Sequence, residues 1–192
     1  VLHGSVLTQL LDEKHAPENF MRIADIIAQR VTHQTIDDLV PLNERAESSP
    51  SVSGLLTGGN LTLLENSIGT DWQVQTMGKI LCIEEVGEKA YRIDRSLYHL
   101  FQAGIFQDVN AIVLGDFLSP DCTEDEEALI TFALNRFAKE MNVHDIPVYK
   151  TSQFGHDVHN VPLVFEAPAK IFLQEGGDIK LSISVAQKGT IR

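Results

Sequence analysis

A chain of 192 residues is long enough for one full domain, or a domain with part of another, and it can bury about 70% of its unfolded surface without metals or disulfides. A net charge of −12 supplies no basic face for a phosphate backbone, which argues against a nucleic-acid partner. Hydrophobic residues make up 43%, mean hydropathy is −0.03, and no apolar run approaches the roughly 18 residues of a membrane span, so a soluble globular protein without a membrane partner is expected.

The opening VLHGSVLTQLL has neither a basic n-region nor a small-residue cleavage site. It reads as chain already inside a folded protein, with Val1 at a cut or processed boundary. From Ala16 to Arg30, Pro17 stands where a first helical turn tolerates it, and Phe20, Ile23, Ile26 and Ile27 recur at helical spacing. The polar stretch NERAESSPSVS, residues 43–53, has the composition of a linker and places a domain boundary there.

SGLLTGGNLTLLENSIGT then reads as a short apolar run, a Gly-Gly-Asn turn and a brief helix. A buried strand is predicted from Lys79 to Glu84, and a helix from Ala90 to Ala103 with Ile93, Leu97, Leu100 and Phe101 on one face and Gly104 as its C-terminal stop. NAIVLGDF is the next buried strand, ending at Gly115. Thr123 and Glu126 have capping-box spacing and open a helix through Phe132, Leu134 and Phe137. A strand from Pro147 to Lys150 runs into a loop with two histidines, and AKIFLQ and IKLSISV around EGGD form a closing hairpin. Strands and helices alternate through the middle and the end is all β, so the class is α/β, with a mixed sheet and flanking helices.

Few segments carry chemistry. Gly58, Gly59 and Asn60 lack the lysine and spacing of a phosphate loop and read as a structural turn. The acids of DCTEDEEA, residues 121–128, complement a helix N-terminus and are not expected to hold a metal. Cys82 and Cys122, one in a predicted strand and one beside a helix start, lack metal-ligand spacing and read as idle thiols of a reducing compartment. Glu84 and His156 each end a strand of an α/β sheet, where ligands of such sheets bind; His159 has the weaker placement. A carboxylate on one imidazole nitrogen fixes the tautomer and stabilises the imidazolium formed when the other takes a proton, so the two would be members of a triad. Its nucleophile is missing: neither Ser119 nor Ser152 sits in a Gly-x-Ser-x-Gly elbow.

Four blocks over residues 54–163, GLLTGGNLTLLENSIGT, GKILCIEEVGEKAYRIDRSLYHL, VLGDF and FGHDVHNVPL, resemble in order and spacing the C-terminal half of the LD-carboxypeptidases, the serine peptidases that include muramoyl-tetrapeptide carboxypeptidase and the microcin self-immunity peptidases. The resemblance implies a two-domain serine peptidase. Residues 1–42 would be the tail of the N-terminal domain and a connecting helix, 43–53 the linker, and 54–192 the C-terminal catalytic domain. The family's Glu falls on Glu84 and its Gly-His on Gly155 and His156. VLHGSVLTQL resembles the His-Gly-Pro segment shortly after the family's nucleophile, with Ser5 in place of Pro, so the serine and the Gly-rich oxyanion segment would lie upstream. The VPLVFEAP after the histidine departs from the family's usual Gly.

Gly58, Gly59, Asn60 and Trp72 are the expected substrate-binding residues, although Trp72 could equally be a half-buried packing residue. Glu85, on the other strand face, is expected to be a solvated neighbour. The resemblance further implies hydrolysis of the amide to the terminal D-Ala of a murein tetrapeptide, no metal or organic cofactor, a cytoplasmic homodimer and a role in peptidoglycan recycling. The alternatives are a microcin-type peptidyl-nucleotide substrate, or a non-catalytic binding or dimerisation module.

Overall fold

A computed structural model describes residues 1–5, 17–119 and 121–185. Its elements in chain order are β1 (Leu2–His3), α1 (Pro17–Ile27), β2 (His33–Pro41), α2 (Glu44–Glu47), β3 (Ser51–Asn60), α3 (Leu61–Ser67), β4 (Lys79–Glu84), α4 (Ala90–Gln102), β5 (Ala111–Leu114), α5 (Glu124–Val143), β6 (Val148–Lys150), β7 (Leu163–Val164), β8 (Pro168–Leu173) and β9 (Ile179–Ser184). The α/β reading with a mixed sheet, flanking helices and a C-terminal hairpin holds. The sheet also closes on itself, in the order β2-β6-β5-β4-β3-β8-β9. β3, β4, β5 and β6 run parallel to one another, whereas β8, β9 and β2 close the barrel through antiparallel pairs.

Alternation along the buried strands divides the apolar residues into two cores. In β4, Ile80 and Cys82 join the cluster that includes Ile36, Leu56, Val113, Tyr149, Ile171 and Leu181, while Leu81 and Ile83 join the cluster with α3, α4 and α5. A strand covered on both faces reads as a continuous apolar run, and β4 and β5 do. The helices obey their caps: Thr123 and Glu126 form the expected capping box, and Gly104 takes the positive φ of 75° that ends α4. α5 buries Leu134 and Phe137 as expected, but Phe132 is exposed.

The expected linker at 43–53 carries regular structure. These residues form α2 and the start of β3. Asn43 is buried and acts as a hub: its side-chain amide donates to the carbonyls of Ala138 and Ile146 at 3.0 and 2.9 Å, and its Oδ1 accepts from Ala46 and Val148. The polar composition thus serves capping inside the fold. β2, expected in the tail of another domain, pairs with β9 and β6 as a barrel strand, and β1 pairs with β7. The described part of the helix expected from Ala16 is α1; Ala16 itself and the rest of 6–16 lie outside the described residues.

Candidate active site

β3 and β4 end side by side at the C-terminal edge of the parallel strands, with Asn60 in register with Glu84. The Gly-Gly-Asn stretch is therefore a strand end and not a turn. Gly58 has φ 141°, and a Cβ there would lie 1.8 Å from the carbonyl oxygen of Cys82. The absence of a side chain at this position is required by packing against β4. Gly59, with φ 142°, faces open space. Asn60 caps α3, its Oδ1 accepting from the Leu63 amide at 3.3 Å.

Glu84 is 1% exposed at the tip of β4. Its Oε2 lies 2.7 Å from Nδ1 of His156, which sits in the loop between β6 and β7 with its side chain 39% exposed. Two glycines allow this approach. A Cβ on Gly115 would overlap the Phe154 ring at 2.4 Å, and one on Gly155, where φ is 134°, would meet Asp116 at 2.8 Å. The end of β5 and the histidine loop therefore interlock through bare backbone, tied by the Asp116 amide donating to the Phe154 carbonyl at 2.8 Å.

The far side of the loop is fastened by two buried asparagines. Asn160 Oδ1 accepts from the Gly155 amide, the Asn160 amide donates to Asn19 Oδ1 at 3.2 Å, and Asn19 Nδ2 donates to the Val158 carbonyl at 2.8 Å. Neither asparagine was singled out from sequence. Asn19 carries a detectable signal, being the buried polar residue of an otherwise amphipathic helix. His159 is exposed on the same loop and Glu84 does not reach it.

The electrostatics follow from that geometry. Burial alone would push the Glu84 carboxyl up, but the His156 and His3 imidazoles more than offset it and hold it at about 2. The hydrogen bond that His156 donates to the Glu84 carboxylate raises the imidazole above its ordinary value. Asp116 is pushed up by burial and by Asp157. Burial likewise pushes the Cys82 thiol up, in keeping with an unreactive core cysteine. Among the described residues no group of three or more His, Cys, Asp or Glu side chains is arranged to hold a metal ion.

Glu85, expected as a solvated neighbour, is corrected. It is 4% exposed, because the face opposite the barrel interior is covered by helices and not by water. Oε1 accepts from Asn60 Nδ2 at 2.8 Å and the Val86 amide at 2.9 Å, and Oε2 accepts from the amide and hydroxyl of Thr62 at 3.0 and 2.7 Å. Glu85→Ala strands these donors and is expected to lower the unfolding free energy by about 2–4 kcal/mol, read by urea denaturation. A change under about 0.5 kcal/mol would restore the solvated reading. Trp72 is 61% exposed, which removes the half-buried packing role.

The sequence pattern of the LD-carboxypeptidase C-terminal domain matches residues 53–171, over half of the chain. The chain belongs to the LD-carboxypeptidase family. This LD-carboxypeptidase chain is 45% identical over 170 residues to a Rickettsia conorii protein named as a carboxypeptidase, covering 88% of the chain and 51% of that protein. It is 33% identical over 163 residues to the murein tetrapeptide carboxypeptidase of Pseudomonas aeruginosa, with 83% and 52% covered. The crystal structure of muramoyltetrapeptide carboxypeptidase from Oxalobacter formigenes superimposes with a TM-score of 0.70 at 26% identity, over 88% of this chain and 55% of that one. An MccF-like protein from Streptococcus pneumoniae shares the fold, with a TM-score of 0.70 at 16% identity, over 96% and 63% of the two chains. The LD-carboxypeptidase chain thus spans about half the length of the curated relatives it matches. No described helix is long and apolar enough to cross a membrane.

Proposed function

We propose that the chain is the Glu/His-bearing half of a serine LD-carboxypeptidase that removes the terminal D-Ala of a murein tetrapeptide. The observation that carries the reading is the buried Glu84 carboxylate bonded to Nδ1 of half-exposed His156. With Nδ1 engaged, Nε2 is the nitrogen left to take a proton. The nucleophilic serine comes from the half of the protein that the relatives possess beyond the length matched here.

In the reaction, Nε2 of His156 takes the serine hydroxyl proton as the oxygen attacks the carbonyl carbon joining meso-diaminopimelate to D-Ala. The imidazolium, stabilised by Glu84, passes that proton to the departing amine. Water, deprotonated by the same imidazole, then cleaves the acyl-enzyme. The parallel-strand edge supplies the surroundings: Gly59 leaves space for the peptide and Asn60 is held rigid by Glu85 and Leu63, while the exposed Trp72 of the α3–β4 connection is the proposed aromatic contact for the substrate. The proposed setting is peptidoglycan recycling in the cytoplasm, by a homodimer without metal or organic cofactor.

The test is D-alanine release from L-Ala-γ-D-Glu-meso-diaminopimelate-D-Ala by the intact protein that carries this chain. Release that disappears with His156→Ala is the expected result. An intact tetrapeptide, or release indifferent to His156, would overturn the reading; cleavage of a peptidyl nucleotide instead would move it to the microcin-type branch.

A further inference from the structure

Glu84 has two oxygens, and His156 accounts for one. The other, Oε1, is buried and has no hydrogen-bond partner within normal geometry among the described residues. A bare carboxylate oxygen at 1% exposure is costly, since a charge removed from water requires compensation on every side. The nearest compensating group is the imidazole of His3, whose Nε2 lies 3.5 Å from Oε1.

His3 is not placed there by a floppy end. β1 pairs with β7, with His3 opposite Leu163, so its backbone is part of a ladder only a few residues beyond the His156 loop. The ring stacks on Phe165, centroids 5.6 Å apart and planes 23° from parallel, and the side chain is 25% exposed. The aromatic contact sets the plane of the ring and the strand pairing sets its depth. Together they point Nε2 at the unpartnered oxygen.

We infer that His3 is a positioning residue that holds the free oxygen of Glu84, so that the carboxylate orienting His156 is clamped between two imidazoles. The inference rests on the catalytic reading of Glu84 and His156 for its functional meaning, though not for its test. A carboxylate held on one oxygen only can rotate about its terminal torsion, and each rotation misaligns the Nδ1 hydrogen bond. Held on both, it has one orientation. A 3.5 Å separation closes to a hydrogen bond with a small movement of either side chain, and His3 then donates from Nε2–H to Oε1.

His3 acts on the ionised form of Glu84, so its removal makes the carboxyl easier to protonate. The groups facing Glu84 are His3 from β1 and His156 from the β6–β7 loop, and Glu85 and Asp116 add their charge at His156. Selective ¹³C labelling of glutamate carboxyls reports the titration of Glu84 in the 192-residue chain, without reference to any enzymatic activity. His3→Phe keeps the ring on Phe165 and deletes the donor. Glu84 is expected to protonate at roughly tenfold lower acidity in that variant, and His3→Gln, which offers an amide donor, to move back toward the parent.

Superimposable Glu84 curves for His3→Phe and the parent would overturn the inference. A second measurement leaves His3 in place and covers the case in which His3→Phe does not fold. In Glu84→Gln the His3 ring resonances are expected to shift together with those of His156, and unchanged His3 resonances would overturn the clamp. Either failure leaves D-alanine release untouched, so a wrong clamp and a wrong reaction are told apart.

Discussion

Under the proposed reaction, Glu84→Gln in the intact protein is expected to lower kcat for D-alanine release by about 10⁴-fold while substrate binding changes little. The amide is nearly isosteric, so the barrel and the histidine loop keep their places. Two things are lost. A carboxamide presents either an oxygen or an NH₂ to Nδ1, so the tautomer of His156 is no longer enforced, and no negative charge faces the imidazolium. By transition-state arithmetic the loss is about 5.5 kcal/mol. A loss below tenfold, measured as D-alanine release, would remove Glu84 from the mechanism.

Gly58→Ala has the largest expected effect on stability. Its Cβ would be 1.8 Å from the Cys82 carbonyl oxygen, an atom fixed in the middle of the β3–β4 ladder, at a φ of 141° that side chains rarely adopt. Backbone strain of about 1–3 kcal/mol and overpacking of about 1–3 kcal/mol combine to about 2–6 kcal/mol. That is a large share of the roughly 5–15 kcal/mol by which domains are stable. Gly59→Ala carries the strain without the collision and is expected to cost less. Urea denaturation of the two variants gives the comparison; equal costs would mean that the strand separation relaxes around the added methyl.

The site was legible where chemistry and chain geometry coincide. Glu84 ends an apolar run that can only be a doubly covered strand, and His156 follows a glycine needed for close approach to Asp116. Pairing them required strand-end placement and the family resemblance together. What stayed hidden depended on long-range closure. β2 reads poorly as a strand because its alternation is broken at Asp37 and Asp38, where the register shifts and Asp38 takes φ 58°. The polar stretch after it, read as a linker, forms α2 and the start of β3.

Glu85 was misread for a related reason. Strand alternation was applied correctly, but the opposite face was taken as solvent, whereas α3 covers it and supplies Thr62 as a donor. A local pattern says which face a residue occupies, not what lies against that face. Asn19 and Asn160 show the same limit: the bond between them spans 141 positions in sequence. Their role follows only from the docking of α1 on the histidine loop.

The dyad also sets a pH window for its own contribution to stability. Glu84 has a folded value depressed to about 2 from an ordinary 4.5, so its contribution is complete above about 4.5 and is lost as pH falls through about 2. His156 has a raised value, so its contribution is complete below its ordinary 6.5 and is lost as pH rises through the folded value. The pair is therefore fully formed between about 4.5 and 6.5. The proposed proton transfer needs the neutral imidazole, so D-alanine release is expected to rise on the alkaline side of that window.

The measurement that tests the Glu84–His156 dyad most directly is an NMR titration of the His156 ring in the 192-residue chain and in its Glu84→Gln variant. The dyad predicts a midpoint above 6.5 in the parent, falling in the variant as the carboxylate charge is removed. An unshifted His156, or the same midpoint in both proteins, would contradict it.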